Sequence, residues 1–199
     1  MTARIVRSSS QDVDQGRIES AVAEIIAALG EDGTREGLER TPSRVAKLYA
    51  DVFGGLGVDP VAELQTGFDE GYDEMVVARD VTFFSMCEHH FLPFFGVVHI
   101  GYIPQGRVVG ISKLARVTEI FARRPQLQER LTTQIADAIV AGVEPMGVGV
   151  VVEAEHLCMV MRGIKKPGSR IITSVNRGVF RTNPATRAEF LGLAGRQGL

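Results

Sequence analysis

The stretch Gly147-Val148-Gly149-Val150-Val151-Val152-Glu153-Ala154-Glu155-His156-Leu157-Cys158-Met159-Val160-Met161-Arg162 decides the fold. Its β-branched run reads as one long strand over 147–162, and residues 170–180 read as its partner. Upstream, 75–86 and 94–103 are rich in β-branched and aromatic residues and read as an earlier strand pair. Pro104-Gln105-Gly106 reads as a turn. Two helices lie between the pairs. Ser112 caps the first, which runs to about Ala122, and Pro125 opens the second, with Leu127, Leu131, Ile135, Ala138 and Ile139 as its apolar stripe. The order strand, strand, helix, helix, strand, strand gives an antiparallel sheet with helices on one face, an α+β architecture. Asn183-Pro184 opens a short closing helix.

Toward the N-terminus, Ile18, Val22, Ile25, Ile26 and Leu29 follow the helical period and Gly30 stops it. Thr41-Pro42 starts a second helix through Val45, Leu48, Tyr49, Val52 and Phe53, which Gly54-Gly55 ends. The chain thus reads as a flexible tail over 1–13, an N-terminal helical region over 14–73 and a main domain over 74–199. The 199 residues are 45% apolar and 23% charged with a net charge of −2, the composition of an ordinary soluble globule. That excludes a disulfide-rich scaffold and argues against nucleic acid as a partner. The window 91–103 is too short and too polar to span a membrane. With no apolar leader after the first arginines, the expected location is cytoplasmic, where thiols stay reduced.

Both cysteines sit beside histidines, as Cys87-Glu88-His89-His90 and His156-Leu157-Cys158. On a continuous strand, Leu157, Met159 and Met161 point into the core, while His156, Cys158, Val160 and Arg162 form a row on the other face. The first segment follows a strand and precedes Pro93, so a loop there aims Cys87 and His90 at a common point. Zinc takes thiolate and imidazole in a tetrahedron, and two Cys plus one His leave a fourth position for water. A redox or nucleophilic cysteine, or two ordinary buried thiols beside surface histidines, remain the alternatives. His99 lies mid-strand, away from either cysteine, and reads as structural.

Ser112-Lys113-Leu114-Ala115-Arg116 opens a helix whose N-terminus favours anions, with Lys113 and Arg116 on one face. Arg162 joins them from the strand. These groups suit a polyphosphate, although a solvated helix carries the same cations. Glu129 lies about 200° round from Leu127 and faces away from the apolar stripe. It is either a solvated carboxylate or an acceptor for two parallel N–H groups such as a guanine edge offers.

Four ordered blocks carry a family resemblance: Cys87-Glu88-His89-His90-Phe91-Leu92-Pro93-Phe94, Gly110-Ile111-Ser112-Lys113-Leu114-Ala115-Arg116, Gln126-Leu127-Gln128-Glu129-Arg130-Leu131, and Gly147 to Gly163. Together the blocks resemble GTP cyclohydrolase I, over roughly residues 15–190. The resemblance implies a tunnelling fold (T-fold) with an N-terminal helical arm, and a homodecamer with active sites at subunit interfaces. It implies conversion of GTP and water to 7,8-dihydroneopterin triphosphate and formate, the first step of pterin and tetrahydrofolate synthesis. The matching positions imply Zn2+ at Cys87, His90 and Cys158, and proton transfer by His156 and His89. Ser112 is a further acid–base candidate in the ribose rearrangement. Gln128 and Glu129 would hold the guanine edge, and Ser112, Lys113, Arg116 and Arg162 the triphosphate and ribose side. Arg44 would reach a neighbouring subunit's phosphates. In the same comparison Asn176-Arg177-Gly178 places a charge where many relatives carry an apolar residue. The alternative is a non-catalytic T-fold homologue with structural zinc, against which the presence of His89 and His156 counts.

Overall fold

A computed structural model describes residues 13–195, so the expected tail, apart from Val13, lies outside the described residues. The chain divides into two units, one up to Val58 and one from Asp59 on. In the first, α1 (Gln15–Ala28) begins at Asp14, whose carboxylate accepts from the Arg17 amide. It packs on α2 (Thr41–Val52), where Pro42 lies within the first helical turn, a place that needs no N–H donor. Arg40, not Thr41, is the cap of α2.

The second unit starts with a 3-10 turn, Ala62–Gln65, followed by β1 (Gly67–Asp69), β2 (Val76–Cys87), β3 (Leu92–Ile103) and β4 (Arg107–Val109). Next come α3 (Ile111–Ala122), β5 (Pro125–Gln126), α4 (Gln128–Val143) and β6 (Gly147–His156). The chain closes with α5 (Leu157–Val160), β7 (Ile171–Gly178), α6 (Val179–Thr182) and α7 (Pro184–Ala194). The main sheet has the order β5-β2-β3-β6-β7, and β1 pairs with β4 in a separate two-stranded ribbon. The expected α+β architecture with helices against the sheet is present. The sheet is mixed rather than purely antiparallel, because β5 runs parallel to β2.

One sheet face carries Phe83, Phe94, Val98, Ile100, Val148, Val150, Val152 and Ala154, all buried against Leu114, Val117 and Phe121 of α3 and Leu131, Ile135 and Ile139 of α4. At one end of the opposite face Phe180 and Phe190 pack on Val77, Ile103 and Val151. Gly101 makes room for them, since a Cβ there would come within 2.6 Å of the Phe190 ring. Each buried phenyl ring contributes about 1.5–3 kcal/mol.

Four local expectations are corrected. Pro125-Gln126 is a strand and not a helix start, so α4 begins at Gln128 with Leu127 extended before it. Ser112 is the second helical residue of α3, and Gly110 occupies the cap position. The strand expected over 147–162 ends at His156, where the chain turns into α5. The even-numbered residues of β6, not the odd ones, face the core, and Met161 is 60% exposed rather than buried. The continuous β-branched run stops at Val152, and the Leu-Cys-Met that follows His156 has no strong strand preference to extend the ladder. The charge at Arg177 meets a partner: its Nε donates to Asp137 Oδ1 of α4 at 2.8 Å. Among the described residues no helix is long and apolar enough to cross a membrane.

Candidate active site

The end of β6 and the end of β2 meet here. Phe94 of β3 stands opposite His156 in the sheet register, and the two rings stack at 4.6 Å with planes 4° apart. His156 therefore belongs to the core face of β6 and sits at its open edge. Its Nε2 lies 2.8 Å from Oε1 of Gln128, the first residue of α4.

Gln128 is 2% exposed, and its own amide nitrogen is fully engaged. Nε2 donates to the carbonyls of Val152 at 3.1 Å and Ile171 at 2.9 Å, with Thr173 Oγ1 at 3.2 Å. With the amide hydrogens facing β6 and β7, Oε1 can only accept, and the network assigns the hydrogen of that bond to His156 Nε2. Burial holds the His156 imidazole below the usual histidine range, and the negative charge of Glu129 partly offsets that.

Cys87 closes β2 and is buried, whereas Cys158 sits on α5 and is half-buried. Their Sγ atoms and a ring nitrogen of His156 all lie within 4.8 Å of one another. Burial pushes the Cys158 thiol up, and the adjacent Cys87 adds to the effect. Two sulfurs and an imidazole are the donor chemistry that a borderline-soft divalent metal takes, so this group fits a metal ion.

The remaining expected residues divide. His90 is exposed, and its Nε2 meets the Arg162 guanidinium rather than joining the cysteine pair. His89 is exposed beside it, with Nδ1 at 3.9 Å from the Cys87 sulfur. Glu129 is exposed next to buried Gln128, as its helical angle predicts. Ser112 is exposed in the first turn of α3. Lys113 and Arg116 come together, but around a carboxylate: Glu63 Oε2 lies 3.2 Å from Lys113 Nζ and 3.3 Å from Arg116 Nη1. Arg162 lies at the histidine loop, against His90. Arg44 is an exposed residue of α2 in the other unit.

Sequence reasoning missed Glu63, Phe94 and the Glu88–Arg130 pair. Arg130 Nη2 donates to Glu88 Oε1 at 3.0 Å, and the Glu88 amide donates to the Gln126 carbonyl, also at 3.0 Å. These contacts fasten the cysteine–histidine loop to the start of α4. Phe94 was legible from strand register, had the sheet order been known. Glu63 carried no local signal, because its partners lie about 50 positions away in another element.

A family description named GTP cyclohydrolase I matches residues 18–195. A GTP cyclohydrolase 1 of Dehalococcoides mccartyi is 60% identical over 187 residues, covering 93% of this chain and 99% of that protein. A GTP cyclohydrolase 1 of Carboxydothermus hydrogenoformans is 59% identical over 186 residues, covering 93% and 97%. One of Geobacillus kaustophilus is 57% identical over 183 residues, covering 92% and 97%. The solved apo structure of the archaeosine synthase QueF-Like overlaps with a TM-score of 0.39 at 20% identity, over 53% of this chain and 92% of that one. On the matched span and the identity to these relatives, the chain belongs to the GTP cyclohydrolase I family.

Proposed function

We propose that the chain hydrolyses GTP to 7,8-dihydroneopterin triphosphate and formate, the opening step of pterin and tetrahydrofolate synthesis. The observation that carries this reading is the Cys87–His156–Cys158 group at the mouth of the core, in a chain of this family. Zinc bound by two thiolates and an imidazole would supply Lewis acidity, making water a nucleophile for C8 of the guanine near neutral pH.

Cys87 and Cys158 are two of the donors, and His90 is the third on the family pattern. His156 is left to move a proton at N7 of the base. Either histidine completes a Cys2His set, and the geometry described above brings His156 nearer the sulfurs. A metal assay separates the assignments: His90→Ala loses zinc if His90 is the donor, whereas His156→Ala keeps zinc and loses turnover.

The protein's own groups act on the two ends of the substrate. Phe94 and Gln128 hold the His156 ring in one plane and one tautomer, which orients its proton transfer. Glu129 accepts from the N1–H and N2–H groups of the guanine edge, with Gln128 beside it. Opening of the imidazole ring releases C8 as formate. His89 and Ser112 then serve the acid–base steps in which the ribose carbons rearrange and reclose a six-membered ring. Lys113, Arg116, Arg162 and Ser112 hold the triphosphate, and this remote binding orients the base.

The same reading takes residues 74–199 as a T-fold catalytic domain and 14–73 as a helical arm. It takes the assembly as a homodecamer in which Arg44 serves a neighbouring subunit's phosphates, and the location as cytoplasmic. Incubation of purified protein with GTP tests the activity: formate and, after oxidation, a fluorescent pterin are expected. Bound GTP with no formate would contradict it.

A further inference from the structure

Lys113 and Arg116 project from the start of α3, and both reach the same oxygen of Glu63, at 3.2 and 3.3 Å. The Glu63 side chain is only 13% exposed, so the carboxylate is inserted between the cations and not laid over them. Its position is set from outside the ion pair. The neighbouring Leu64 is fully buried against Gly142 of α4, where a Cβ would come within 2.6 Å of Leu64 Cβ. The Arg107 guanidinium donates to the carbonyls of Leu64 and Gln65. The 3-10 turn that carries Glu63 is thus held by both α4 and β4.

A phosphate chain seated on Lys113 and Arg116 meets an anion that the fold supplies. Two cations and one carboxylate leave a net charge of +1 instead of +2. An arriving phosphate must turn the carboxylate aside or share the cations with it, and both weaken its hold.

We propose that Glu63 is a specificity-determining residue of the phosphate end: a built-in competitor that lowers the affinity of Lys113 and Arg116 for phosphate chains. It thereby raises the KM for GTP and eases departure of a product that keeps the triphosphate. The inference rests on the reading of Lys113 and Arg116 as the triphosphate seat.

The test uses the full-length, zinc-loaded assembly and two probes: GTP turnover, and calorimetric binding of inorganic tripolyphosphate. Glu63→Gln keeps the shape and removes the charge. It should lower the KM for GTP and tighten tripolyphosphate by about three- to tenfold at low salt, the gain shrinking as salt rises. Inhibition by guanosine, which has no phosphate, should stay as in the unaltered protein. Glu63→Asp, which shortens the reach, should give a smaller gain and serves if the Gln variant folds poorly.

A Glu63→Gln protein that is folded, yet shows unchanged or weaker tripolyphosphate binding, overturns the proposal. Such a result would leave Glu63 as a structural ion-pair partner that moves only thermal stability. Arg116→Ala separates the proposal from the reading beneath it. If it weakens tripolyphosphate while Glu63→Gln changes nothing, the seat stands and the competitor falls. If Arg116→Ala binds tripolyphosphate as the unaltered protein does, the seat itself is misplaced and the proposal falls with it.

Discussion

The two ends of the proposed site are built differently. At the base end, His156 is stacked on Phe94 and bonded to Gln128, which in turn holds carbonyls of β6 and β7. Each contact belongs to an element whose place the core dictates. At the proposed phosphate end, Ser112 and Arg162 are exposed, and Lys113 and Arg116 rest on Glu63. Proton transfer needs a ring fixed to a fraction of an ångström, and a packed core provides that. Holding a flexible polyanion needs charge more than geometry, and cations on mobile stems suffice. Substitutions at the base end should therefore act on kcat and stability, and those at the phosphate end on KM.

The largest effect is expected at the sulfurs. Cys158→Ser keeps the volume but offers a poor zinc donor, so metal content should fall below half an ion per chain and turnover by more than about 100-fold. Retained metal and activity would remove Cys158 from the donor set.

Gln128→Ala comes next. It leaves His156 without its acceptor and the Val152 and Ile171 carbonyls without their donor. Each orphaned group costs about 1–3 kcal/mol, so thermal denaturation should show a clear drop in stability. In the folded fraction kcat should fall more than KM rises; a pure KM effect would leave Gln128 with only its place beside Glu129 at the guanine edge.

Arg162→Ala should do the opposite, weakening GTP far more than guanosine while stability stays close to that of the unaltered protein. Equal losses for both ligands would end its phosphate role.

The smallest effect concerns His99, buried in β3, whose Nδ1 accepts from the Asp80 amide at the bulge of β2. Burial holds its imidazole below the usual value, with Asp80 and Glu153 raising it and Arg79 lowering it. The unfolded chain takes up this proton first, near pH 6.5. The contribution to stability is thus present above that pH and lost as pH falls through it. His99→Asn keeps an acceptor for the Asp80 amide and removes the titration. Its Tm should drop less than that of the unaltered protein between about pH 7.5 and 5; an equal drop would mean that His99 adds nothing.

The sequence made the helices and strands legible where periodicity was strong and continuous, as in α1, α4 and the β2–β3 pair. It misled where one residue separates two states. His156 ends β6, yet nothing in His-Leu-Cys-Met forbids a strand, and what the sequence does not display is that pairing with β7 ends at Ala154, two residues before the turn into α5. Pro125 reads as a helix opener until the edge of β2 recruits it as a parallel strand. Chemistry was legible by residue type, because two cysteines flanked by histidines leave few choices of donor. Mutual distance was not legible: that His156 lies nearer the sulfurs than exposed His90, and that Glu63 reaches Lys113, depend on contacts between elements far apart in the chain.

The proposed reaction requires a bound metal and a proton carrier at the base end to act together on GTP. The most direct test strips metal from the purified protein with a chelator, restores zinc, and follows formate released per GTP consumed. Loss of formate on stripping and its return with about one zinc per chain, in step with pterin formation, is the expected result. Full formate release by the stripped protein, or none after zinc is restored, would contradict the account.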